Sequence, residues 1–199
     1  MLSGLLRDPV TRAITPLAKG LLRIGISPGA VTASGSIGAT VAAATLIPTG
    51  HLFVASLLIG AFAISDLLDG TMARISGQTS DWGAFLDSNL DRVTDAAIFG
   101  SLAIYYSTRS RLYLVLSLVG LAAGFLVSYA RARAESLGFE CSGGLMERAE
   151  RIILVLLVIA LTGLGVPYVA AVGLWLLAIG SAFTFAQRLR QVHAEGRTT

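Results

Sequence analysis

Long apolar stretches without charge follow one another along the chain, separated by short polar links. The first runs from Pro28 to Ile47 and ends at Pro48, and the pair Ser27-Pro28 is a typical helix start. A helix rises about 1.5 Å per residue, so about 20 apolar residues cross the hydrocarbon core of a membrane. The pattern predicts six crossings, at about 28–47, 51–75, 82–106, 112–136, 152–165 and 168–185.

The segment before the first crossing has a different pattern. Here leucines alternate with four basic residues, Arg7, Arg12, Lys19 and Arg23. This mixture predicts an amphipathic helix that lies on the membrane surface. We therefore expect a cytoplasmic juxtamembrane segment at 1–27, followed by an all-α, six-helix membrane domain at 28–199.

Composition places the chain among integral membrane proteins. Of its 199 residues 54% are hydrophobic and only 14% charged, and the mean hydropathy is +0.75. Soluble domains carry roughly 25% charged residues. The length suits one domain.

The basic residues predict an orientation. The net charge is +3, but the bases fall at the ends of the apolar segments, which indicates a membrane orientation and not nucleic-acid binding. Six crossings put both termini on one side, with twelve bases there and only Arg109 and Arg111 on the other. We expect a multi-pass protein of the cell membrane, in contact with its lipids and without a nucleic-acid partner. Both termini and the active site are expected to be cytoplasmic.

Carboxylates are concentrated where charge is most costly. Six of the twelve acidic residues lie within thirty-one consecutive positions, although an aspartate near the bilayer centre costs about 2.5–3.5 kcal/mol. Asp66 and Asp69 are three residues apart at the end of the second crossing. Asp87, Asp91 and Asp95 are four residues apart in the third. Residues at these spacings share a helix face, so two rows of carboxylates are expected to converge.

Divalent cations are the natural partners of such rows. A single Mg²⁺ usually binds one or two carboxylates, so four or five predict two Mg²⁺ ions, with Mn²⁺ as the alternative. Gly70, Ala73 and Gly83 lie on the same faces and leave room for a phosphorylated ligand. Arg74, one turn after Gly70, is placed to meet a diphosphate.

These residues form one pattern, D-x2-D-G-x2-A-R-x8-G-x3-D-x3-D. Its eight fixed positions are Asp66, Asp69, Gly70, Ala73, Arg74, Gly83, Asp87 and Asp91. The pattern resembles the signature of the CDP-alcohol phosphotransferase family, and the six-crossing layout is similar to that family as well.

The resemblance implies an enzyme that joins a CDP-linked lipid to an alcohol, releases CMP, and works as a homodimer. It assigns the metals to Asp66, Asp69 and Asp87, with Asp91 facing the metals and serving as the general base. It implies that Arg74 contacts the diphosphate. The other CDP-lipid positions that it implies are Gly29, Ala30, Val31, Thr32, Gly70, Ala73, Ser80 and Gly83. Asp95 lies outside the pattern, and we expect a structural or supporting role for it.

Segments after the pattern bear on the acceptor alcohol. The stretches SYARARAE, GGLMERAER and AQRLR resemble family members that transfer the phosphatidyl group of CDP-diacylglycerol to inositol phosphate, giving phosphatidylinositol phosphate and CMP. Those members often have lysine where Arg131 stands and proline where Ala149 stands. A phosphorylated polyol needs fixed cations, and the candidates are Arg131, Arg151 and Arg188, with Arg133 and Arg148 as further ones. The alternative is that these arginines only anchor the orientation.

Two other functions remain open at this point. The same chemistry with glycerol 3-phosphate or another alcohol acceptor is the nearer one, although such enzymes more often carry proline and lysine near the position of Arg92. A cation transporter that uses the intramembrane acids as its ion path is the more distant one. A transporter has no need for the glycine clearances or for Arg74.

Overall fold

The fold consists of helices joined by short links. This computed structural model describes residues 14–77 and 80–196, apart from the side chain of Asp66. Eight helices lie in this part of the chain: α1 (14–23), α2 (Pro28–Leu46), α3 (Leu52–Ala63), α4 (Ser65–Ser76), α5 (Asp81–Ser107), α6 (Arg111–Ser136), α7 (Arg148–Gly163) and α8 (Val169–Glu195). No strand occurs among these residues, so the predicted all-α class is confirmed.

Local sequence signals fix several helix ends. The Ser27 hydroxyl accepts a hydrogen bond from the Ala30 backbone at 3.2 Å and so caps α2, whose first residue is the predicted proline. Gly77, with φ of 65°, ends α4 in the left-handed conformation that glycine adopts without strain.

Four stretches are long and apolar enough to cross a membrane within the described residues. They are Pro28–Leu46, Leu52–Ser76, Arg111–Ser136 and Val169–Glu195. Helix α7 has only 16 residues, and α5 carries its charged residues in its first half. The crossings at α5 and α7 therefore stay predictions.

The stretch Leu52–Ser76 has a local irregularity, which the sequence pattern did not predict. A turn at Ile64 separates α3 from α4 directly before the motif aspartates. The Ser65 hydroxyl donates to the Phe62 carbonyl oxygen at 2.5 Å. Such a side-chain bond to the backbone competes with the regular helix ladder.

One compact unit comprises the described residues of Met1–Ala42 and of Leu58–Thr94. Ala18, Val31 and Met72 form its buried apolar cluster, against which the partly buried Leu21 and Leu68 pack. Within 14–23, Ala18 is buried and Lys19 is exposed, so this helix has two different faces. Residues 1–13 of the predicted interfacial helix lie outside the described residues, and its place on a membrane stays a prediction.

The other unit comprises Ala43–Leu57 and the described residues from Asp95 onward. In it α8 packs against both α6 and α7. The two glycines of the G-x-x-x-G pattern on α6 make room for neighbours within the chain. A Cβ at Gly120 would lie 2.9 Å from the Phe99 ring, and one at Gly124 would lie 3.1 Å from the Arg151 guanidinium. The pattern thus serves intrachain packing.

Candidate active site

The middle of the motif helix α4 is anchored by a buried carboxylate. Asp69 is 8% exposed, and the Thr32 hydroxyl donates to its Oδ2 at 2.5 Å. The same hydroxyl lies 3.2 Å from the Pro28 carbonyl oxygen. The first turn of α2 is thereby joined to the middle of α4, and one oxygen of Asp69 has a fixed orientation.

Two further motif carboxylates lie one turn apart on α5. Asp87 and Asp91 are both partly buried, and their spacing of four places them on one helix face. Asp91 Oδ2 lies 3.6 Å from Nη2 of the neighbouring Arg92, with the Asp91 side chain 14% exposed. The Asp91 carboxylate is therefore near a cation but still reaches the surface.

The donor chemistry of the motif fits a hard divalent cation. Every motif ligand is a carboxylate, and oxygen ligands are the ones that Mg²⁺ and Mn²⁺ prefer. No group of three described His, Cys, Asp or Glu side chains could hold a metal ion by itself. The backbone of Asp66, a predicted ligand, lies in α4, but its side chain is not among the described parts of the structure.

Space remains beside the small residues of the motif. A Cβ at Gly70 would meet no atom within 4 Å, so its backbone is open to a ligand. Arg74 is exposed and folds back on its own helix, where its Nε donates to the Gly70 carbonyl oxygen at 3.1 Å and its Nη2 to the Thr71 hydroxyl at 3.2 Å. Both bonds are local and leave Arg74 at the surface beside Gly70.

The predicted CDP-lipid positions on α2 and at the start of α5 differ in exposure. Gly29 has open space around it and Ala30 is exposed, whereas the Val31 side chain is buried in the cluster with Met72. The fourth position, Thr32, bonds to Asp69, as described above. At α5, the Ser80 hydroxyl accepts a hydrogen bond from the Gly83 backbone at 3.0 Å. The remaining small position, Ala73, is partly buried.

The candidate phosphate-binding arginines have protein partners of different kinds. Arg131 is exposed and pairs with Glu135 on its own helix at 2.7 Å. Arg133, also exposed, lies 3.4 Å from the Ser136 hydroxyl. These two arginines stay accessible to a ligand.

Arg188 is 4% exposed and connects three parts of its unit. Its Nη1 donates to the Val127 carbonyl oxygen at 2.6 Å, and its Nε lies 3.4 Å from the Gly143 carbonyl oxygen. Its Nη2 pairs with Glu147 at 3.3 Å. Arg188 thus fastens the link between α6 and α7 to α8.

Arg151 is completely buried at the first turn of α7. Its Nη2 donates to Asp95 Oδ2 at 2.6 Å, and Arg148 Nε lies 3.6 Å from Oδ1 of the same carboxylate. Sequence reasoning identified both arginines, but not Asp95 as their shared partner. Its i+4 spacing from Asp91 was the signal that marked it.

Arg131, Arg151 and Arg188 all have their positions at successive turns of α6. The Arg151 guanidinium lies at Gly124, the Arg188 guanidinium at the Val127 carbonyl, and Arg131 comes one turn later. Positions 124, 127 and 131 lie on one face of a helix, since they are three and four residues apart. Arginines of α6, α7 and α8 thus lie along one stretch of α6. Two of them, Arg151 and Arg188, are buried and paired with Asp95 and Glu147.

Known proteins match nearly the whole chain. The family model for CDP-alcohol phosphatidyltransferase matches residues 26–186. The phosphatidylinositol phosphate synthase of Corynebacterium glutamicum is 44% identical over 187 residues, which cover 92% of this chain and 85% of that protein. The phosphatidylinositol phosphate synthase of Streptomyces avermitilis is 42% identical over 204 residues, which cover 98% and 84%.

Solved structures agree with these relatives. The crystal structure of the Mycobacterium tuberculosis phosphatidylinositol phosphate synthase with CDP-DAG bound matches with a TM-score of 0.87 and 39% identity, over 91% of this chain and 94% of that one. The same enzyme in complex with manganese and citrate matches with a TM-score of 0.86 and 38% identity, over 90% and 88%.

Proposed function

Because the chain belongs to the CDP-alcohol phosphatidyltransferase family, we propose that it transfers the phosphatidyl group of CDP-diacylglycerol to a hydroxyl of inositol phosphate. The products are phosphatidylinositol phosphate and CMP. Relatives that are 44% and 42% identical are named as synthases of phosphatidylinositol phosphate, the first of these products. The observation that carries the choice of a phosphorylated acceptor is the set of three arginine groups along residues 124–131 of α6.

The reaction is a displacement at the phosphorus that bears the diacylglycerol. The acceptor hydroxyl oxygen forms a new P–O bond, the bond from that phosphorus to the bridging oxygen of CMP breaks, and CMP leaves with the electron pair. Asp91 accepts the hydroxyl proton. Its partial exposure on α5 supports this role, because a general base must come within hydrogen-bond reach of the acceptor.

Asp66, Asp69 and Asp87, with Asp91 facing them, are the proposed ligands of two divalent cations, Mg²⁺ or Mn²⁺. When bound, such cations neutralise diphosphate charge and polarise the P–O bonds. The Thr32 hydroxyl orients the Asp69 carboxylate. A related structure that contains manganese supports the assignment to divalent metals.

Two groups of residues are proposed to contact the CDP-lipid: one binds its diphosphate, and the other lines its nucleotide. Arg74 turns from its local bonds to the diphosphate, and the open backbone at Gly70 lets the phosphates approach, with Ala73 and Gly83 as the other small positions. Residues 29–32 and Ser80 are proposed to line the nucleotide. Since the Val31 side chain is buried, that position contributes through its backbone.

The proposed setting is the cell membrane, with six crossings, the segment 1–27 on the cytoplasmic surface and the domain at 28–199 within the bilayer. Four apolar helices and the distribution of twelve bases against two support this orientation. The active site and both termini are then cytoplasmic. We also propose a homodimer, as the family resemblance implies.

An acceptor panel tests the function. Purified protein in detergent receives CDP-diacylglycerol, Mg²⁺ and either inositol phosphate, glycerol 3-phosphate or free inositol, and CMP release and the lipid product are measured by mass spectrometry. We expect turnover with inositol phosphate to exceed that with either other alcohol by at least an order of magnitude. A higher rate with glycerol 3-phosphate would replace the proposed acceptor, and no CMP release with any alcohol would reject the enzyme.

A further inference from the structure

Asp95 is a buried carboxylate that the proposed chemistry does not use. It is 2% exposed, and it follows Asp91 by four residues on α5. Its two oxygens face two arginines of the first turn of α7, Arg151 at 2.6 Å and Arg148 at 3.6 Å. A buried charge is costly unless it is paired. The two arginines therefore stabilise the buried charge of Asp95, and Asp95 in turn fixes the position of their guanidinium groups.

A glycine on α6 completes the surroundings of the Arg151 guanidinium. A Cβ at position 124 would lie 3.1 Å from both Cζ and Nε of Arg151. Contacts this short force a neighbour to shift, so any larger residue at Gly124 would displace the guanidinium. Three helices thus define its position: α5 through Asp95, α6 through Gly124, and α7 through its backbone.

Two nitrogen atoms of Arg151 are left without a protein partner among the described residues. Within the described part of the chain, its Nε and Nη1 are buried and have no hydrogen-bond partner. Buried polar groups are normally satisfied, so such donors need an explanation. A guanidinium whose Nη2 is held by a carboxylate and whose other nitrogens are free is preorganised to bind phosphate oxygens.

We propose that Asp95 is a positioning residue for the phosphorylated acceptor: it holds the Arg151 guanidinium in the space left by Gly124, with the unpaired Nη1 left for the acceptor phosphate. The proposal rests on the proposed function, in which Arg151 binds that phosphate. Asp95 itself touches neither substrate. Its loss therefore affects the acceptor and leaves the CDP-lipid unaffected.

Steady-state kinetics of Asp95→Asn test this. Inositol phosphate and CDP-diacylglycerol are varied in turn, with Asp81→Asn, an exposed aspartate at the start of the same helix, as the matched control. A misplaced charge-assisted donor predicts a rise of about tenfold or more in the acceptor KM, and less than a twofold change in the KM of CDP-diacylglycerol. An unchanged acceptor KM, or an equal rise in both constants, would overturn the proposal.

A double-mutant cycle separates this inference from the function on which it rests. Arg151→Gln and Asp95→Asn are measured singly and together. If Asp95 acts through Arg151, its substitution adds little once Arg151 is gone, because residues in one network are not additive. Fully additive effects would overturn the positioning role. An Arg151→Gln variant with an unchanged acceptor KM would instead contradict the phosphate-binding role of Arg151, and so the proposed function.

Gly124→Ala provides a second route if Asp95→Asn does not fold. This change keeps both charges but crowds the guanidinium, and we expect it to raise the acceptor KM severalfold with the KM of CDP-diacylglycerol unchanged. Gly100→Ala, where a Cβ meets no atom within 4 Å, is the control. If the acceptor KM is identical in Gly124→Ala, Gly100→Ala and the unmodified protein, the proposal is overturned.

Discussion

The Thr32 hydroxyl donates a hydrogen bond to the Asp69 carboxylate across 37 positions of sequence. Groups that support a metal ligand usually contribute about 10- to 100-fold to metal affinity or activity. Thr32→Val keeps the shape of the side chain and removes the donor. We therefore expect the Mg²⁺ concentration for half-maximal CMP release to rise about tenfold. Thr32→Ser restores the donor and should remain close to the unmodified protein.

Thr49→Val is the control for that pair. The Thr49 hydroxyl is exposed and donates to carbonyl oxygens at the end of α2, so the metal dependence should not change. If Thr32→Val has the same metal dependence as Thr49→Val, Thr32 does not orient a metal ligand.

Removal of the divalent metal should abolish CMP release. Asp66 and Asp87 are proposed metal ligands, so Asp66→Asn and Asp87→Asn should also be inactive. The measurement is CMP release after chelation and after addition of Mg²⁺ or Mn²⁺ to the same sample. Full activity in a metal-free preparation would contradict the metal assignment.

Asp91→Asn should reduce turnover far more than it reduces CDP-lipid binding. A positioned general base contributes roughly 10²–10⁴-fold to the rate, and it acts only in the transition state. The test compares kcat with the dissociation constant of CDP-diacylglycerol, both measured for the variant and the unmodified protein. Equal losses in the two quantities would make Asp91 chiefly a metal ligand.

Helix positions could be predicted from the sequence because they depend on local signals. The Ser27-Pro28 pair starts α2 where expected. The pair Arg131–Glu135 could also have been predicted, since residues four apart on a helix are neighbours. The irregularity at Ile64 could not be predicted, because a turn there fits the same apolar pattern as a regular helix.

Contacts between distant segments are the part that the sequence did not predict. Periodicity marked Asp95 as a member of the α5 row, but the Arg151 partner lies 56 positions further along the chain. No helical period connects such positions. For the same reason no sequence pattern connects Gly124 with Arg151, and only the fold shows that this glycine accommodates a guanidinium.

Gly163→Ala should destabilise the protein. A Cβ at this position would lie 2.5 Å from the backbone nitrogen of Phe53, and backbone atoms cannot move aside as a flexible side chain does. Overpacking of this kind costs typically about 1–3 kcal/mol. Thermal unfolding in detergent should therefore begin at a lower temperature than for Gly100→Ala, which meets open space. Equal unfolding midpoints for the two variants would show that the end of α7 is not packed as described.

Arg131→Gln and Arg188→Gln should differ in their effects, although both residues are proposed to bind the acceptor phosphate. Arg131 is exposed and pairs with Glu135 on its own helix, so its loss should raise the acceptor KM and leave stability unchanged. Arg188 also joins α8 to Val127 on α6 and to Glu147 at the start of α7. Its loss should therefore raise the acceptor KM and lower the unfolding temperature as well.

The control for both variants is Arg190→Gln, an exposed position on α8 that we assign to membrane orientation. One lost anchor among twelve bases should leave both KM values unchanged. The acceptor KM of Arg131→Gln and Arg188→Gln is compared with that of Arg190→Gln, with the KM of CDP-diacylglycerol as the internal reference. If the acceptor KM is the same in all three, the arginines only orient the protein, and the main physical reason for a phosphorylated acceptor is removed.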